Sequence, residues 1–113
     1  MDSHRRVVKL YANRDVERVL LGVPRGHKHL RLAIITSRNE VLVFSEATLA
    51  NIVRAYVTIK THPVRRAVEL QQFSKTDEFK EEYAKYQLLE TEKKDSEVEE
   101  ELLELLKEAS SQG

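Results

Sequence analysis

The densest cluster of chemically capable side chains is "VPRGHKHLR", residues 23–31, which places Arg25, His27, Lys28, His29 and Arg31 within seven positions. Arginine and lysine neutralise phosphate, and Gly26 lets the backbone approach such a ligand closely. Arg5, Arg6, Arg38 and Arg54 can extend the same basic surface. The competing reading is a solvated turn whose cations keep the molecule in solution.

A base-stacking platform has fewer candidates. The basic half offers Tyr11, Phe44 and Tyr56, and the latter two suit a core better, which leaves Tyr11. There is no RNP-type motif, GxxG loop or zinc-finger spacing. Recognition of shape and phosphate fits these residues better than a base code. Arg25, Lys28, Arg31 and Arg38, with Tyr11 for stacking, form the expected nucleic-acid surface.

Metal binding and catalysis find less support. His27 and His29 would share one side of an extended segment, but without Cys or a carboxylate cluster they make at most a weak imidazole site. They read instead as additions to the basic surface. No P-loop, dinucleotide fingerprint, GxSxG elbow or HExxH occurs. No catalytic residue, metal or cofactor is therefore assigned, and a non-enzymatic protein is expected.

The formal charge of zero hides a division along the chain. Residues 1–66 hold 13 Lys and Arg against 5 Asp and Glu, a balance of +8, and residues 67–113 hold 6 against 14, a balance of −8. All ten arginines and all four histidines lie in the first part. Such asymmetry suggests nucleic-acid contact together with an acidic tail. The absence of Cys excludes disulfides. The longest apolar runs are too short to span a bilayer, and the N-terminus shows no signal-peptide pattern, so a cytoplasmic location with no membrane partner is expected.

Four stretches in the first half have strand-like patterns: "RVVKLYA" (6–12), "VERVLLGV" (16–23), "LRLAIITS" (30–37) and "EVLVFS" (40–45). The second also fits a helical face, but its length and the tight "NRD" before it favour a strand. The last two form a hairpin through Arg38-Asn39, where Asn can take the left-handed conformation of a short turn. Their two-sided apolar character predicts central strands.

The period then changes to 3.6. Ser45 precedes a helix with Leu49, Ile52, Val53 and Tyr56 on the face expected to lie on the sheet, and His62-Pro63 ends it. A short helix from Pro63 to about Gln72 and another after Thr76, with Phe79, Tyr83 and Tyr86 on one side, are expected. Finally Ser96 and Glu99 suggest a capping box for a last helix with six Glu between 97 and 108. Its stripe of Val98, Leu102, Leu105, Leu106 and Ala109 must bury against something, because an isolated helix of this length is marginal in water.

The sequence thus predicts an α+β fold. A basic core domain spans 1–73, built on a small antiparallel β-meander of three or four strands packed with helices, and an acidic helical extension spans 74–113. The expected function is nucleic-acid binding, RNA slightly before DNA, or a ribonucleoprotein accessory role, with the acidic helix modulating binding or mediating assembly. The alternative is a protein-interaction or homo-oligomeric module. The abundance of charge and scarcity of Gly, Pro and Cys also suit a heat-stable protein with surface ion-pair networks.

Overall fold

The computed structural model of the chain describes residues 6–74 and 86–112. A 3-10 turn at Asn13–Asp15 leads into three strands, β1 (Val16–Gly22), β2 (Arg31–Thr36) and β3 (Val41–Ser45), followed by helix α1 (Glu46–Thr61). Two further strands, β4 (Leu70–Ser74) and β5 (Tyr86–Glu90), precede helix α2 (Asp95–Gln112). The architecture is α+β with two antiparallel sheets, a β1-β2-β3 meander and a β4-β5 pair.

The meander follows from its residues. Val19, Ile34 and Leu42 stand in register on one face with Leu21, Leu32 and Phe44, and Leu20, Ala33 and Val43 stand on the other. The ambiguous second stretch is a strand. Between β2 and β3 the chain reverses at Asn39, whose φ of 62° is the left-handed value expected there. Thr36, only 2% exposed, organises this turn. Its amide bonds to the Glu40 carbonyl at 3.0 Å, and its hydroxyl accepts the Arg38 amide at 3.2 Å. Of the two strands expected to be central, β2 is so and β3 is an edge.

β3 passes into α1 without a loop, at Ser45, so the strand fixes how the helix is rotated. The Ser45 hydroxyl meets that of Thr48 at 3.2 Å rather than a backbone amide. Leu49 is half-buried as expected, but Ile52, Val53 and Tyr56 are exposed, Tyr56 at 61%. Thr48, Asn51, Ala55, Thr58 and Ile59 take the half-buried positions instead. The helix ends as predicted, with His62 in extended geometry and its amide on the Thr58 carbonyl at 3.0 Å.

Three expectations are corrected. Residues 6–12 form no strand. They are held to the β2-β3 turn by side chains, with Lys9 and Tyr11 on Glu40 and Arg38 on the Leu10 carbonyl, and they enter the 3-10 turn through Ala12, whose amide bonds Asp15 Oδ2 at 2.9 Å. No helix follows Pro63; β4 begins at Leu70. The amides such a helix would have used are taken from afar, because Asp95 accepts those of Arg66 at 2.6 Å and Ala67 at 3.3 Å. Tyr86 lies in β5, where it pairs with Ser74, not in a helix. The remainder of that expected helix, including Phe79 and Tyr83, lies outside the described residues.

α2 begins earlier than the Ser96 cap predicted. Lys94 stands at the cap, its amide bonding Glu97 Oε1 at 2.8 Å while the Glu97 amide returns to the Lys94 carbonyl at 3.0 Å. Glu99 instead reaches Arg66. Among the described residues only Ala67, Val98 and Thr36 are buried. The β4-β5 ladder and the ion pairs that α2 makes with Arg6, Arg65 and Arg66 cross position 74, joining the basic and acidic parts of the chain.

Candidate nucleic-acid interface

The connection between β1 and β2 is built on a tight turn. The His27 amide bonds the Pro24 carbonyl at 3.0 Å, and Gly26 takes φ +85°, a value that glycine adopts without strain. A Cβ at Gly26 would meet nothing within 4 Å, so the turn is open at that position. Residues 23–29 are all exposed. Glu46, the first residue of α1, anchors the returning end: its Oε1 accepts the Leu30 amide at 2.7 Å and lies 3.8 Å from His29 Nδ1. The loop is therefore fixed at its base and cationic at its tip.

Arg31 opens β2 just beyond, its guanidinium bonding the Leu30 carbonyl at 3.2 Å. It lines a cleft of about 1090 Å³ with His29, Asn51, Arg54, Gln72 and Gln87. The two glutamines belong to β4 and β5, so the cleft exists only because the second sheet lies near the start of α1. No local pattern marks Gln72 or Gln87 in the sequence; their strand pairing is the relevant signal, and it is long-range.

The other two expected site residues lie elsewhere. Arg38 stacks its guanidinium 4.4 Å from the centroid of the Tyr11 ring and bonds the Leu10 carbonyl at 3.0 Å. The Tyr11 hydroxyl donates to Glu40, and Lys9 Nζ reaches the same carboxylate at 2.7 Å. The bond to Lys9, then that to Tyr11, holds the Glu40 carboxyl below its usual range. The same contacts raise Lys9 and Tyr11, each chiefly through its hydrogen bond to Glu40. This cluster sits at the opposite end of β2, about 17 Å from Arg31 at the usual strand rise. The predicted surface is thus divided into Arg25, Lys28 and Arg31 at one end and Tyr11 with Arg38 at the other.

The acidic helix engages a third set of cations. Arg6 meets Glu108 at 3.2 Å, Arg66 meets Glu99 at 3.0 Å, and Lys93 meets Glu101 at 3.2 Å. Arg65 lies 3.3 Å from Asp95 and 2.7 Å from Glu90 of β5, and its bond to Glu90 is the main cause that raises it above the ordinary guanidinium value. Arg25 and Lys28 have no carboxylate partner among the described residues. On the stripe of α2, Val98 is buried and Leu105 half-buried, while Leu102 and Leu106 are exposed. No metal-binding group of three His, Asp or Glu side chains occurs among the described residues. No described helix is long and apolar enough to cross a membrane.

No family model, curated protein or solved structure matches the chain.

Proposed function

We propose that the chain is a small non-enzymatic module that binds nucleic-acid phosphates through the β1-β2 loop, with Arg25 and Lys28 at its tip and Arg31 and Arg54 in the adjoining cleft. The observation that carries this reading is the sorting of charge. The acids of α2 neutralise Arg6, Arg65, Arg66 and Lys93, whereas Arg25 and Lys28 are exposed and meet no carboxylate among the described residues of the chain. Phosphate binding to such cations releases counterions, so affinity falls steeply with salt.

RNA is favoured over duplex DNA. The two described helices are separated by the β4-β5 pair rather than by a short turn, so they supply no helix-turn-helix for the major groove. Fluorescence anisotropy of short single- and double-stranded RNA and DNA, titrated across salt, tests the reading. Micromolar binding with a steep negative log–log slope supports it; no binding at low salt overturns it.

A second reading, a protein-interaction module, is favoured by the apolar side chains left open on both faces of the meander, among them Leu21, Val41 and Val43.

A further inference from the structure

β1 is an edge strand without the usual protection. Natural edges are blunted with charged side chains, proline, bulges or covering elements. β1 has such devices only at its start, the charges of Glu17 and Arg18 and a register shift between Val16 and Arg18 that leaves Glu17 as an extra residue. From Val19 to Val23 there is no charged residue or proline, and Val19, Leu20, Leu21 and Val23 are each about half exposed, between 48% and 59%. Among the described residues nothing pairs with the outer backbone of this strand. β3, the other edge, runs without a loop into α1.

We propose that β1 pairs antiparallel with β1 of a second copy, about a two-fold axis at Leu20, to make a continuous six-stranded sheet. A two-fold pairing of this kind sets each residue opposite one at constant summed position and keeps both faces of the sheet continuous. Centring on Leu20 sets Leu20 against itself and Val19 against Leu21 of the second copy, so apolar side chains meet on each face. It sets Arg18 against Gly22 of the second copy, where a Cβ would find nothing within 4 Å and the guanidinium therefore has room. Asp15, just before β1, then comes opposite Arg25 of the second copy, and symmetry makes this charge match twice, while Lys28 lies beyond the ladder. Moving the axis to Val19 would place Arg18 against Leu20 and Glu17 against Leu21, and moving it to Leu21 would set Pro24, which has no amide to donate, against Arg18 within the ladder; centred on Leu20, Glu17 and Pro24 fall at its ends, opposite Val23 and Val16. The centre of the strand is thus apolar against itself and Asp15 meets Arg25 beyond its ends, which points to a second copy as the occupant.

The test uses the full chain without nucleic acid, so its outcome is separate from that of the phosphate-binding reading. In sedimentation equilibrium at tens of micromolar, the protein is expected at twice its 13.1 kDa chain mass. Leu20→Lys should weaken the dimer at least tenfold. Gly22→Val should do the same by filling the seat of Arg18, while the open space at Gly22 lets the single chain keep its far-UV circular dichroism. Because the chain has no cysteine, Leu20→Cys should cross-link to itself on mild oxidation, and Val41→Cys on β3 should not. A chain that stays monomeric at all concentrations overturns the proposal. A dimer unaffected by Gly22→Val, or cross-linked through Val41→Cys instead of Leu20→Cys, does so as well.

Discussion

The carboxylate of Asp95 accepts the backbone amide of Arg66 at 2.6 Å across 29 residues of sequence, and so fastens the start of the acidic helix to the chain that follows α1. That bond, followed by the one from Ala67 and the charge of Arg65, holds the Asp95 carboxyl below its ordinary value. Glu40 and Glu69 are lowered too, Glu40 first by Lys9 and Glu69 first by the Thr91 hydroxyl.

Acid should therefore loosen the fold. A carboxyl whose folded value lies below its unfolded one contributes stability that is fully present above the ordinary carboxylate range near pH 4 and disappears as pH falls through the depressed value. Thermal melting from pH 7 to pH 2 should show Tm steady to about pH 5 and falling below it. Asp95→Asn should lower Tm at pH 7 and flatten its fall in acid. A parallel shift of the whole curve would mean that the carboxylate charge plays no part.

Asn39 holds the hairpin turn at φ 62°. Replacing it with valine, a β-branched residue poorly suited to that conformation, should cost about 1–2 kcal/mol in urea denaturation. Asn39→Gly should be near neutral. Equal stability of the two variants would show that the turn relaxes to another geometry.

Val98 is the one buried residue of the α2 stripe, while Leu102 and Leu106 remain about half exposed. Val98→Ala removes two buried methyl groups and should cost about 2 kcal/mol. Leu102→Ala should cost under about 1 kcal/mol in the isolated chain, since little of its surface is withdrawn from water. A larger loss at Leu102 would place a contact on that side of the helix.

Salt dependence separates the cations that are open from those already paired. Arg25→Glu with Lys28→Glu should weaken nucleic-acid binding and make the log–log salt slope shallower by about 1.4 to 1.8, the value of two lost phosphate contacts. Glu99→Gln with Glu108→Gln should act in the opposite sense, because it releases Arg66 and Arg6 from their carboxylates. Anisotropy titrations between 50 and 200 mM salt, the range over which counterion release is pronounced, check both. A slope unmoved by the Arg25 and Lys28 changes would take the loop out of the binding surface.

Short-range rules were sufficient for several elements. The alternation in 30–37 and 40–45 gave β2 and β3, Asn39 marked their turn, and Ser45 with His62-Pro63 bracketed α1. Each signal lies within a few residues of the geometry it specifies. The same rules misread residues 63–72, because a proline and a helical period there compete with the Asp95 carboxylate, which lies some thirty positions away. They also assigned a strand to residues 6–12, whose Lys9 and Tyr11 are drawn off by Glu40.

The candidate site divides in the same way. Composition and spacing alone identified the cationic loop, with Arg25, Lys28 and Arg31 beside Gly26, and the opposition of a basic first half to an acidic second. Which cations the acids neutralise was decided by the tertiary structure, because a charge pairs with what lies within a few ångströms and not with what matches it in composition. Hence Arg6, Arg65 and Arg66 meet α2, Arg38 turns to Tyr11, and Gln72 and Gln87 reach the cleft through the pairing of β4 with β5.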